Sequence, residues 1–255
     1  RCLAGLGPPA VVLAHNSGLC GFEMAEGEGG LSEAFGRAKR SDPRGAFGSV
    51  VGVNRALDME LAKGLGAAFV EAVVAPSFSA EARATLGRTR IRLLKTAADA
   101  PVQSDGFCRS TRWGMLVGWS QAGPSESHRC VSRLAPDPAQ QEALALAWRL
   151  AKRLPGIAIV VADSSRMRAA AWAQTSLRDA ALVVAQKLGA AAGGTAVACD
   201  SSFRFAEDVN ILAECGVSAL LHLDGSPRQE EITARVDELG LVMQVIEGGE
   251  GGGKA

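Results

Sequence analysis

The chain predicts an α/β fold in which strands are covered by helices, and three features carry that prediction. Short β-rich apolar runs recur along the whole length, most of them near-continuously hydrophobic, as strands buried on both faces are. Between them lie segments with apolar residues at three- and four-residue spacing, the mark of helices with one buried side. At 255 residues and 47% hydrophobic, the chain suits one large domain or two ordinary ones, and it is too apolar to be disordered. The alternation of the two patterns favours a three-layer α/β/α architecture.

In chain order, strands are expected at Val11–Ala14, Ser49–Asn54, Glu71–Pro76, Arg90–Lys95 and Gly114–Trp119. Further strands are expected at Ala158–Ala162, Thr195–Asp200, Val217–Leu223 and Leu241–Ile246. Helical spacing marks Leu31–Lys39 and Leu57–Phe69, then Leu177–Leu188, Ala206–Glu214 and Gln229–Leu239. The strongest helix runs over Asp137–Leu154, with Leu144, Ala147, Trp148, Leu150 and Ala151 on one side. Asp137 suits its N-cap and Pro138 its first turn. Residues 96–138 break the rhythm with Pro101, Pro124, Pro136 and Pro138, and read as a long connection around the Gly114–Trp119 strand. The connection divides the chain into units at 1–136 and 137–255, the second ending in a glycine-rich tail expected to be mobile.

Composition excludes several classes of function. Lys+Arg and Asp+Glu are both 27, so the net charge is zero and there is no basic footprint for nucleic acid. Tyr is absent and aromatics are 5%, which argues against base-stacking platforms. No apolar run approaches the ~20 residues that span a bilayer, and nothing reads as a signal peptide. The six cysteines form no C-x-x-C pair and the three histidines are far apart, so no metal is expected. Single scattered cysteines read as small buried residues in a reducing compartment, and the expected location is cytoplasmic. Gly248-x4-Gly253-Lys254 imitates a phosphate loop but lacks the following hydroxyl and helix. Arg88, Arg90, Arg92 and Lys95 alternate with Ile91 and Leu93 and read as a solvated strand face.

The chemistry lies in five separated segments. Leu13–Gly21, Leu-Ala-His-Asn-Ser-Gly-Leu-Cys-Gly, follows the first strand, where α/β sheets place ligands, and His15 there can take a proton from an attacking amine. Ser41–Arg55 reads Ser-Asp-Pro-Arg-Gly-Ala-Phe-Gly-Ser-Val-Val-Gly-Val-Asn-Arg, and Glu71–Pro76 reads Glu-Ala-Val-Val-Ala-Pro. Cys199–Phe205 reads Cys-Asp-Ser-Ser-Phe-Arg-Phe, and Gly225–Glu231 reads Gly-Ser-Pro-Arg-Gln-Glu-Glu. In kind and order, from about Ala10 to Ile246, this series resembles AICAR transformylase, the formyltransferase domain of the bifunctional purine-biosynthesis enzyme. The resemblance implies tandem cytidine-deaminase-like α/β/α units without zinc, and a homodimer whose active sites use both subunits.

It also implies 10-formyltetrahydrofolate as formyl donor and a small-molecule amine as acceptor. His15 would be the general base. Asn16, or the backbone N–H groups of an Asn16–Gly21 turn, would stabilise the oxyanion. By position, the candidate substrate and cofactor contacts are Gly48, Glu71, Gln174, Ser176, Asp200, Ser202, Phe203, Asp208, Gly225 and Ser226. Phe47 and Phe203 suit the core better than a ligand. The departures fall on the site. Ala14 replaces the Lys of the family's Lys-His pair, Ile157 replaces an Asn, and Leu177 stands at the family Arg, with Arg178 one place late. Ser202, Arg204 and Asp208 replace Phe, Pro and Asn, and the terminal Arg-His-Phe-Arg-His is absent. Loss of a charge aimed at the formyl oxygen and of bidentate arginines argues against the ordinary purine acceptor. Two expectations follow: a formyltransferase acting on an amine other than AICAR, or a catalytically degenerate scaffold that binds folate or a partner protein.

Overall fold

A computed structural model describes residues 2–3, 5–25, 30–96, 106–119, 126–189 and 193–247. The chain begins with β1 (Ala10–His15), β2 (Gly18–Met24), α1 (Gly30–Ala38), β3 (Ser49–Val53) and α2 (Met59–Gly66). It continues through β4 (Val70–Ala75), α3 (Ala80–Leu86) and β5 (Arg92–Lys95). These strands form a mixed sheet ordered β2-β1-β3-β4-β5, with β1 antiparallel to both neighbours and β3, β4 and β5 parallel. Next come a free-standing hairpin of β6 (Gly106–Thr111) and β7 (Gly114–Trp119), then β8 (Ser127–Cys130). The remainder is α4 (Pro138–Ala151), β9 (Ile157–Ala162), β10 (Met167–Gln174), α5 (Leu177–Leu188), β11 (Thr195–Cys199), α6 (Ala206–Glu214), β12 (Val217–Leu223), α7 (Gln229–Glu238) and β13 (Val242–Glu247). The second mixed sheet is ordered β10-β9-β11-β12-β13-β8, and its β8 lies before residue 137 in the chain.

Alternation along the strands sorts the core. In β9, β11 and β12, Ala158, Val160, Ala162, Ala196, Ala198, Ala219 and Leu221 face α4. The small side chains let α4 settle close, with its own Ala143, Ala147 and Ala151. The opposite face presents Ile159, Val161, Val197, Cys199 and Leu220 to α5, α6 and α7. In the first sheet, Val11, Leu13, Val51 and Val73 face α1, α2 and α3. The α4 core also takes Ala10, Leu19 and Phe22 from β1 and β2, so the two sheets share one hydrophobic cluster. They meet where β2 adjoins β10: Met24 N–H donates to Ser165 O at 2.8 Å, and buried Glu23 accepts from Arg37 at 2.7 Å with Arg166 beside it. Asp137 caps α4 through a reciprocal bond with Gln140, as its position predicts.

Several elements differ from the sequence reading. β2 carries two glycines yet is a strand, because its residues are buried between β1 and β10. β10 is alanine-rich and of low strand propensity, but Ala169, Ala170 and Ala171 are all buried. α3 spans 7 residues, too few to show a period. β6 and β8 are strands within the stretch that the sequence marks as a long connection. α2 ends at Gly66, not Phe69. The cysteines are free, and they are not uniformly buried: Cys20 and Cys199 are, whereas Cys108 and Cys130 are exposed on the hairpin and the edge strand β8. Pro101 and Pro124 in the long connection, and the tail Gly248–Ala255 with its phosphate-loop imitation, lie outside the described residues. Among the described residues, no helix is long and apolar enough to cross a membrane, and no group of three or more His, Cys, Asp or Glu could hold a metal ion.

Candidate active site

β1 and β2 are joined by two residues, Asn16 and Ser17, both in the left-handed region (φ 48° and 66°). This tight turn pairs His15 with Gly18 and leaves His15 at the open end of the first sheet. The same end holds the start of the parallel strands β3 and β4, and so Gly48 and the exposed Glu71. His15 Nδ1 lies 3.1 Å from Gly45 O. A carbonyl only accepts, so Nδ1 holds a proton, and in the neutral ring the lone pair is then on Nε2, the form a general base requires. The turn Asp42–Gly45 is tied by Asp42 Oδ1, which accepts from Gly45 N–H at 2.8 Å. Burial pushes the Asp42 carboxyl up, but the Gly45 N–H and Lys187 outweigh it and hold it below the ordinary carboxylate range.

Gly48 has φ +74°, and a Cβ there would stand 3.5 Å from the Phe69 ring and 3.9 Å from His15 Cε1. Its N–H donates to Phe69 O at 2.9 Å. The rings of Phe47 and Phe69 stack at 4.4 Å and 14° and are 65% and 60% exposed. Phe47, read as core, is therefore a surface residue, because the turn into β3 carries it outward from Ala46, which is buried. Phe69 was hidden by its place in a helical pattern; the signal for its release was the pair Gly64 and Gly66, where α2 ends.

Of the remaining predicted contacts, most gather at one end of the second sheet. Asp200 Oδ1 accepts from Ala158 N–H at 2.7 Å and so binds the start of β9. Ser202 Oγ reaches Leu223 O at 2.7 Å and Asp224 O at 3.0 Å. Phe203 is fully buried, as expected, edge-on to His222 at 5.4 Å. Gly225, at φ +94°, takes the chain from β12 toward α7, and nearly buried Ser226 accepts from Arg228 N–H at 3.3 Å. Asp208 is buried on α6 with Arg178 4.0 Å away; burial raises its carboxyl above the ordinary range, against the Arg178 charge. Ser176 caps α5 by accepting from Asp179 N–H at 3.1 Å. Gln174 Nε2 donates to Trp172 O at 3.0 Å.

The structure brings His15, Gly48 and Glu71 to one sheet end and the Asp200, Ser202, Gly225 and Ser226 group to one end of the other. Trp172 on β10 joins the two halves, since a Cβ on Gly18 would fall 1.7 Å from its ring. That contact, and the roles of Asp42 and Lys187, were not read from the sequence. Of the expected Asn16–Gly21 turn only Asn16 and Ser17 are turn residues, because Gly18–Gly21 lie in β2, where Gly18, Leu19 and Gly21 pair with β1 and Cys20 stands at a bulge.

The AICARFT/IMPCHase bienzyme family matches residues 2–187. The "Bifunctional purine biosynthesis protein PurH" of Myxococcus xanthus (strain DK1622) is 33% identical over 243 residues, covering 92% of this chain and 46% of that protein. The proteins of the same name from Halalkalibacterium halodurans and Desulfitobacterium hafniense are each 32% identical, with the same coverage. The chain thus spans about half the length of the curated relatives it matches.

Proposed function

The chain belongs to the AICARFT/IMPCHase bienzyme family, and from this we propose that it is a formyltransferase moving a formyl group from 10-formyltetrahydrofolate to an amine other than AICAR. The observation that carries the reading is His15, held by Gly45 O in the tautomer of a base and set beside two exposed aromatic rings. The residues fit such a donor: the Phe47–Phe69 stack offers flat apolar surface to a pteridine or benzoyl ring, and Gly48 keeps side-chain atoms out of the space between that stack and His15. When bound, the donor supplies the formyl carbon. As the acceptor nitrogen bonds to the formyl carbon and the bond from that carbon to the donor nitrogen breaks, His15 Nε2 would take the amine proton and pass it to the departing tetrahydrofolate nitrogen, and Asn16 is the turn residue assigned to the negative charge on the formyl oxygen. Ala14, in place of a lysine, supplies no charge, which fits an acceptor more nucleophilic than an aromatic amine. The two mixed sheets are read as cytidine-deaminase-like units, about 1–136 and 137–255 apart from β8, which the first span carries and the second sheet holds, in a cytoplasmic homodimer with shared sites.

A second reading, a scaffold without turnover, draws on Asp200, Ser202 and Ser176, whose side chains are spent on the chain's own backbone. Formyl transfer to a panel of primary amines, followed by the appearance of tetrahydrofolate, separates the two. Turnover by the wild type is expected, with a loss of about a hundredfold or more in His15→Ala. Absence of turnover with every amine class, or full activity in His15→Ala, contradicts the formyltransferase reading.

A further inference from the structure

Lys187 on α5 is the place where the second half of the chain reaches the turn that holds His15. Its Nζ lies 2.9 Å from Asp42 Oδ2 and donates to Ala170 O at 3.0 Å, with the Trp172 ring 5.5 Å away. The two Asp42 oxygens therefore have separate tasks: Oδ2 meets Lys187, and Oδ1 holds Gly45 N–H. The turn is drawn tight, since a Cβ on Gly45 would stand 2.9 Å from the Asp42 carboxylate. Pro43 and Arg44 at its tip are exposed, and beside the carboxylate the turn is closed by Ala46 N–H, which donates to Asp42 O at 2.9 Å. The carboxylate is the side-chain tie on the residue that carries the carbonyl facing His15, and the ammonium that meets the carboxylate comes from the other half. Both charged groups are largely shielded from water, 27% and 20% exposed, where such a pair is worth more than on an open surface.

We propose that Lys187 is a positioning residue for His15, acting through Asp42 and the Gly45 carbonyl, so that the second half of the chain sets the tautomer of the base in the first. Only the activity arm of the test rests on the formyltransferase reading. Long-range nitrogen–proton NMR of the full chain reads the tautomer directly, with three histidines to assign. Wild-type His15 is expected in the Nδ1–H form, which free histidine disfavours. Lys187→Met is expected to return part of the population to Nε2–H, with His222 signals unmoved, and Lys187→Arg to restore the wild-type pattern. In the formyl-transfer assay, kcat of Lys187→Met is expected to fall about ten- to a hundredfold while KM for the donor holds. Wild-type His15 found as Nε2–H overturns the proposal without any variant, so a failure of Lys187→Met to fold does not protect it. An unchanged tautomer in a folded Lys187→Met also overturns it. A tautomer shift in a protein that transfers no formyl group upholds the positioning role and rejects the formyltransferase reading alone.

Discussion

His222 on β12 has no exposed surface, and neither ring nitrogen has a well-aligned partner. Burial pushes it down to about 4, against weaker opposing effects of the Leu223 backbone and Asp224. The unfolded chain takes up this proton near pH 6.5 and the folded chain does not, so His222 costs stability as pH falls from about 6.5 toward 4. Glu23 and Asp208, both raised mainly by burial, act in the opposite sense over the acid range. The comparison must therefore be with His222→Gln. Denaturant unfolding is expected to show wild type losing on the order of 3 kcal/mol relative to His222→Gln between pH 7 and pH 4. Parallel pH profiles would contradict a neutral buried imidazole. At this level the sequence was readable only where a motif named the residue: His15 stood out, but Asp42 and Lys187 did not. Their role arises from a contact between positions 145 residues apart, 187 less 42, and no local pattern encodes that.

The β1–β2 hairpin shows how an element places a residue. Its register sets His15 opposite Gly18, and the turn needs positive φ at Asn16 and Ser17. Asparagine tolerates that conformation and serine less so, which makes the turn a strained version of the favoured Asn-Gly pair. Ser17 is exposed, so Ser17→Gly is expected to stabilise the protein by about 0.5 kcal/mol, the relief of strain exceeding the added chain entropy. A lowered midpoint in chemical denaturation would mean the turn is not as described. The periodic helices and the apolar strands were legible because their burial is written in their own residues. β2 and β10 were not, because glycine- and alanine-rich segments become strands only when a neighbouring strand supplies hydrogen bonds and the packing of one sheet edge on the other supplies cover.

Over the whole molecule, one hydrophobic cluster runs from Phe22 of the first sheet to Ala198 and Leu221 of the second. Glu23, Arg37 and Arg166 bind the same seam, as does Lys187 with Asp42. The seam sets Trp172 of the second half against the His15–Gly18 pair of the first, so the candidate base and its surroundings depend on both halves being docked. The order of motifs made the family legible, and it did so across the departures at Ala14, Ile157 and Leu177. What the residues at those departures have become decides the chemistry, and binding of the donor tests it most directly. The measurement is calorimetric titration of the full chain with a non-hydrolysable 10-formyltetrahydrofolate analogue, alongside Phe69→Ala. Micromolar binding by the wild type, weakened about tenfold in Phe69→Ala by loss of a stacking surface, is the expected result. No heat at high analogue concentration, or equal binding by both proteins, would contradict a folate site at the Phe47–Phe69 stack beside His15.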